Sequence, residues 1–371
     1  MRHRRLTAVL GIALVAAIVG AVAVTLALQK GGEDGTPSAE ELDRIVDEIN
    51  EQLRDVPNVG LGEGSPPPDE IQWKTDLSKA SVSLDEIESG GPQKDGIPAI
   101  DEPHYLHVGD VDFLEDREPV IVVSADGVTH AYPIQILIWH EIVNARLGDV
   151  PVAVTFCPLC NTAIAFEREL DGRLLDFGTT GKLRDSDLVM YDRQTESWWQ
   201  QFGGEAVVGK MTGAKLRQIP AHIVSWEQFR GEHPEGLVLS RDTGHVREYG
   251  MNPYAGYDRM DSSPLFATRN SDDDRLPPKE RVVYVEVGDD AYAVPFASLA
   301  KRPTIVIETE AGKLRVRWRP GVASPLDTAT VARGRDVGTA SVELDGEPVP
   351  FHEPFWFAVA AFRPDIEIVD R

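Results

Sequence analysis

Cysteine is nearly absent from this chain: Cys157 and Cys160 are the only two in 371 residues. So few thiols cannot make a disulfide scaffold, so the hydrophobic core must carry the fold. Nor can they make a four-cysteine zinc site. Basic charge is also short. Lys and Arg number 37 against 61 Asp and Glu, a formal net charge of −24. A surface of that sign repels nucleic acid and anionic headgroups, so no nucleic-acid partner is expected. The N-terminus lacks a clean A-x-A cleavage site. No cysteine follows its apolar run, which excludes a bacterial lipoprotein signal. What is present is globular in composition, 42% hydrophobic and 26% charged. The length suffices for one large domain or two ordinary ones.

Arg2, Arg4 and Arg5 precede an uncharged apolar run over residues 6–28. As a helix that run would extend about 34 Å, enough to cross a hydrocarbon core of about 30 Å. The basic flank favours the cytoplasm, which puts everything after Lys30 outside. The expectation is a single-pass protein of the cell membrane with an extracytoplasmic C-terminal domain. The rival is a cleaved signal peptide. The membrane is the one partner this reading supplies; a protein or small-molecule partner has no signature. An extracytoplasmic compartment would permit disulfides.

The spacing predicts four regions. Residues 1–30 are the basic flank and anchor. Residues 31–95 are an acidic linker with one short amphipathic helix. Ser38 and Glu41 form its capping-box pattern, and Leu42, Ile45, Val46, Ile49 and Leu53 follow at helical spacing. Residues 96–275 form a first compact unit and residues 276–371 a second. The fold class predicted is α+β, predominantly β. Strands are expected at 120–123, 152–156, 188–191 and 197–202, and a short buried helix at 134–143. Asp126-Gly127 and Asp171-Gly172 read as hairpin turns. Residues 221–229 read as a short helix.

A shift of 162 residues brings related positions together. Glu118, Val120, Val123, Ala131, Pro133 and Leu137 fall on Glu280, Val282, Val285, Ala293, Pro295 and Leu299. Val154, Phe156 and Pro158 meet Val316, Trp318 and Pro320. Two related strand-turn-strand-helix units are therefore predicted. In the second copy His140 becomes Arg302, Cys157 becomes Arg319 and Cys160 becomes Val322. The scaffold positions persist and the soft ligands vanish, which directs attention to chemistry in the first copy.

That chemistry centres on Thr155-Phe156-Cys157-Pro158-Leu159-Cys160-Asn161, with Trp139-His140-Glu141 upstream. A redox Cys-x-x-Cys opens a helix whose dipole lowers the thiol pKa. Here a strand is predicted after Cys160, which suits a metal knuckle instead. No histidine follows Cys160, so covalent haem attachment is excluded. Cys157, Cys160 and His140 are the candidate metal ligands, for copper before zinc. His104, His107, His130 and Met190 are weaker candidates. A disulfide between the cysteines within a binding or structural module remains an alternative, as do inert or redox-exchanging thiols. His140 alone is also consistent with a hydrogen-bonded core histidine. A polar-pocket enzyme would use Glu141 as base with Asp192 and Arg193, near Arg184 and Asp185. Gly178, Gly181 and Lys182 do not have P-loop spacing. Whether the chain is an enzyme stays open at this stage.

The motifs Ala131-Tyr132-Pro133, Trp139-His140-Glu141-Ile142-Val143-Asn144, Cys157-Pro158-Leu159-Cys160 and Phe177-Gly178-x-x-Gly181 occur in that order. Met190-Tyr191-Asp192-Arg193-x-Thr195-x-Ser197-x-Trp199 follows. Over residues 96–365 the chain resembles the DUF3179 family, a domain of unknown function. The resemblance implies an exported or membrane-anchored protein and carries no activity with it. Cys-Pro-Leu-Cys and Trp-His-Glu are where a function would be sought.

Overall fold

Short apolar runs punctuated by tight turns build a β-propeller. The structure, a computed structural model, describes residues 73–260 and 262–370. The apolar run at 6–28 and the helix expected within 38–53 lie outside the described residues. Among the described residues no helix is long and apolar enough to cross a membrane.

Five sheets form the five blades. The first orders Ala221–Ser225, Pro119–Ala125, Val128–Pro133, Leu237–Leu239 and Tyr105–His107. The second orders Gln218–Ile219, Thr162–Glu167, Val150–Cys157 and Ile142–Leu147. The third orders Glu88–Ser89, Phe177–Arg184, Asp187–Asp192, Trp198–Gln200 and Glu205–Val208. The fourth holds Val282–Val287, Asp290–Pro295 and Glu367–Ile368. The fifth holds Thr304–Thr309, Gly312–Arg319, Thr339–Leu344 and Glu347–Pro348.

This overturns the expected α+β class with its strand-turn-strand-helix units. The α-helices Ile134–His140, Trp226–Glu232, Phe296–Lys301 and Trp356–Phe362 have only six or seven residues each. They are connectors between strands and form no layer. The helix expected over 221–229 is also corrected. Residues up to Ser225 pair with Pro119–Ala125, and Ser225 then caps the helix with Gln228 in a reciprocal capping box.

The turns follow from residue chemistry. Asp126-Gly127 and Asp171-Gly172 all have positive φ, as a two-residue hairpin turn with the right twist requires. The apolar strand residues Val120, Ile121, Val122 and Val123 are all buried, so both faces of that blade are covered. Each such side chain contributes about 1.5–3 kcal/mol by leaving water.

Element order recurs at the offset found in the sequence. Strands starting at 128, 142 and 150 have counterparts starting at 290, 304 and 312, each 162 residues on. A second offset closes the blades. Leu237 pairs with His130 in parallel, and Glu367 pairs with Tyr292 likewise. The first and second blades therefore correspond to the fourth and fifth. The third blade, over 177–208, has no counterpart among the described residues. Trp73 packs on it, its ring 5.3 Å from Tyr191 and 5.4 Å from Trp198.

Candidate metal centre

Cys157 ends one strand of the second blade and pairs with Thr162, which begins the next. The four residues between them make the knuckle. Asn161 closes it at φ 61, and its amide donates to the Glu353 carbonyl at 2.7 Å. The Cys160 carbonyl accepts from Phe355 N–H at 2.9 Å. The knuckle is thereby fixed from outside its own blade.

The third blade brings an acid to it. The ligand atoms of Cys157, Cys160 and Asp187 all lie within 4.8 Å of one another. Cys157 is 1% exposed, and Cys160 and Asp187 are 0%. Asp187 is aimed by its neighbours. Gln200 Nε2 donates to Oδ2 at 2.5 Å and Phe202 N–H to the same oxygen at 2.9 Å. Oδ1 is left facing Cys160 Sγ at 3.0 Å. Cys157 Sγ faces the Ser186 carbonyl at 3.9 Å. Both cysteines are free thiols.

Proton counting shows what this arrangement lacks. Cys160 Sγ also lies 3.0 Å from Thr162 Oγ1. The Thr162 proton is committed to Gln201 Oε1 at 2.7 Å, and Gln201 in turn donates to Thr155. Thr162 is therefore an acceptor toward sulfur. One thiol proton thus faces two acceptors at equal distance. Burial pushes the Cys160 thiol well above its ordinary range, with Cys157 and Asp187 adding to the rise. Burial also raises Asp187 to about 6.

The Trp139-His140-Glu141 triplet divides its tasks. Both imidazole nitrogens of His140 are engaged, Nδ1 with the Pro98 carbonyl and Nε2 with Tyr249 Oη, each at 2.7 Å. Burial lowers His140 to about 4. Trp139 Nε1 donates to the Met251 carbonyl at 3.2 Å. These two side chains hold the irregular connection between Leu239 and Val282. His140 is not in the compact ligand group, whose members are the two cysteines and Asp187. Glu141 follows the helix at φ 59, outside the conformations most side chains adopt. Its carboxyl is raised to about 8, by burial first and then by the charge of Asp187.

The other candidates lie apart from the thiols. His104 is exposed against Asp242 at 3.1 Å, and His107 is an exposed strand residue. His130 packs between Tyr105 and Tyr132. Met190 is a core residue of the third blade opposite Trp199. Asp192 accepts from Thr195 and Trp199 and so fixes a turn. Arg193 pairs with Asp101 at 2.6 Å on the surface, Arg184 with Glu86 and Arg269 with Asp185. Gly181 is structural, since its φ is 72 and a Cβ there would fall on the Pro92 carbonyl.

Asp187 is the candidate ligand that sequence reasoning missed. It lies 27 residues beyond Cys160, at the head of a strand that reads as core. The available signal was Asp185-Ser186-Asp187 just before an apolar run, where a polar turn meets a buried strand.

Lys279 completes the surroundings. Its side chain is buried at 1% exposure, and Nζ has no hydrogen-bond partner. The ammonium sits over the Tyr257 ring, 3.0 Å from its centroid. Burial draws it down to about 7, against the upward pull of Cys160, Asp258 and Cys157. On the other side, Gln200 and Phe202 line a cleft of about 1240 Å³ together with Arg184, His352 and Phe362. One layer of side chains therefore separates Asp187 from that cleft.

The fold and site define a class: a five-bladed propeller with a buried dithiol–carboxylate group shared between its second blade and its unpaired third blade. The chain belongs to the DUF3179 family of proteins of unknown function, whose model matches residues 94–366. No curated protein and no solved structure matches it.

Proposed function

We propose that the protein binds one soft or borderline metal ion, zinc or copper(I), through Cys157, Cys160 and Asp187. The observation that carries this is the clustering of three ligand atoms from two blades within 4.8 Å, in a site closed to water. Thiolates with one carboxylate suit zinc, and the sulfurs alone suit copper(I). A tetrahedral ion with bonds of about 2.0–2.3 Å sets its ligands roughly 3.5 Å apart. The Cys160–Asp187 pair, now at 3.0 Å, would open slightly to take it. Binding would displace the protons of both thiols, among them the Cys160 proton that two acceptors now share. Gln200 and the Phe202 amide supply the outer hydrogen bonds that orient a metal-bound carboxylate. Membrane anchoring by residues 6–28 and an extracytoplasmic position for the propeller belong to the same proposal.

The test is metal uptake by the full chain, purified anaerobically and reduced, with bound metal counted by mass spectrometry and free thiol by titration. One ion per chain is expected. Cys157→Ser and Asp187→Asn should each weaken retention at least tenfold, since each removes a first ligand. A reduced protein that takes up neither zinc nor copper(I) would overturn the reading. A two-dalton mass deficit that persists as the native state would put a disulfide in its place.

A second use of the thiols, exchange with an external disulfide, is disfavoured. Exchange needs an accessible thiolate. Here both sulfurs are buried and Cys160 is held protonated.

A further inference from the structure

The proposed centre leaves a charge unbalanced. Two thiolates and a carboxylate with a divalent ion retain one negative charge, and with a monovalent ion two. A net anion is costly in a site with 1% exposure or less unless a cation lies beside it. Lys279 presents the opposite case, a buried amine without a hydrogen-bonded partner. Tyr257, Phe355 and Phe357 surround it, with ring centroids 3.0, 4.9 and 5.1 Å from Nζ. Ring faces offset part of the cost of a buried ammonium and do not replace a counter-charge. Asp258 is within electrostatic reach but is already shared by Arg335 at 2.8 Å and Arg281 at 3.6 Å. Phe355 joins the amine to the knuckle: its N–H donates to the Cys160 carbonyl at 2.9 Å, and its ring centroid lies 4.9 Å from Nζ.

The backbone fixes Lys279 firmly. The Pro278 carbonyl accepts from Phe357 N–H at 3.0 Å and the Glu280 carbonyl from Trp356 N–H at 2.8 Å. The internal repeat gives a control. Lys279 corresponds, 162 residues on, to Arg117, which is exposed and reaches only the Gly334 carbonyl. The fold therefore does not require a buried cation at this repeat position. The copy that shares Phe355 with the knuckle has one.

We propose that Lys279 is the built-in counter-ion of a metal-loaded Cys157–Cys160–Asp187 centre, a positioning residue that cancels the charge left by a divalent ion. This rests on the metal reading above. The buried amine and the residual anion each lack a partner alone, and each supplies the other's.

Zinc is the probe, with a competing chelator setting its free concentration. The full-length chain is compared with Lys279→Met, Lys279→Gln and Lys279→Arg. Lys279→Met should bind zinc at least tenfold more weakly while still reaching one ion at saturation. Its metal-free form should melt no lower than the parent, because an apolar side chain of similar length replaces a buried amine in an aromatic cage. A merely structural lysine would give the reverse pattern, a lower melting point and unchanged affinity. Lys279→Arg should stay within about threefold of the parent. If Lys279→Met does not fold, Lys279→Gln gives the same reading. Zinc affinity unchanged in the neutral variants overturns the counter-ion role and leaves the metal site standing. A parent chain that binds no zinc removes both.

Discussion

At the scale of single residues, the centre is governed by protons that burial holds in place. Glu141 is held protonated up to about pH 8 in the folded chain, against an ordinary value of 4.5. A carboxyl whose folded pKa is raised stabilises the fold fully below its unfolded pKa. That contribution fades as pH climbs through the window to the folded value. For Glu141 the window runs from 4.5 to about 8, and the loss is on the order of a few kcal/mol. Thermal melts of the metal-free protein should therefore fall between pH 5 and pH 8. Glu141→Gln should remove the Glu141 share of that slope and leave the shares of Glu118 and Glu353, both raised to about 7, and of Asp187, raised to about 6. Parallel slopes in parent and variant would show that Glu141 ionises without cost. His140 is the complementary case, neutral and satisfied at both nitrogens. Tyr249→Phe would leave Nε2 unpaired in a buried position. It should cost about 1–3 kcal/mol in denaturant unfolding, with zinc affinity nearly unchanged because His140 lies outside the ligand group.

At the scale of elements, legibility tracked sequence distance. Hairpins closed by Asp126-Gly127 and Asp171-Gly172 were readable because two adjacent residues carry the whole signal. The knuckle between strands was readable for the same reason, as its ligands and its turn fall within seven residues. The helix Ile134–His140 was placed by its apolar run but its class weight was misjudged. A connector of seven residues has the same local pattern as about two turns of a helix in a helical layer, and only the assembled sheets separate the two. Asp187 was not readable, because its partner sulfurs belong to another blade and no periodicity relates them. His140 was an attractive ligand on proximity in sequence, yet the turn at Glu141 sends the strand off with the imidazole held by Pro98 and Tyr249. Gly181 tests how rigid the third blade must be where it meets the chain at Pro92. Gly181→Ala adds a Cβ at positive φ and against a carbonyl, so at least about 2 kcal/mol of lost stability is expected. A melting point within a degree of the parent would mean that Pro92 simply moves away.

At the scale of the whole molecule, two related pairs of blades and one unpaired blade divide scaffold from chemistry. The thiols come from one member of a related pair, whose counterpart carries Arg319 and Val322 instead. The acid comes from the blade without a counterpart, and the lysine from the connection leading into the fourth blade. A site assembled from three such sources forms only when the ring closes, so its ligands report on the native state as a whole. The full chain carries a net charge of −24. Surface ion pairs such as Arg319–Glu232 and Arg333–Glu115 involve exposed side chains and contribute little each. The excess of acid, in contrast, repels itself across the whole surface. The two effects respond oppositely to salt: screening weakens the pairs and relieves the repulsion, with a Debye length that shrinks from about 30 Å at 0.01 M to about 3 Å at 1 M. With 49 acids against 31 bases over residues 73–371 the repulsion should dominate. Melting in chloride salts from 0.01 to 0.5 M should therefore rise by several degrees. The rise should saturate once the screening length falls below the spacing of surface carboxylates. A fall over the same range would mean that the paired arginines, and not the unpaired acids, set the electrostatic free energy of the folded ring.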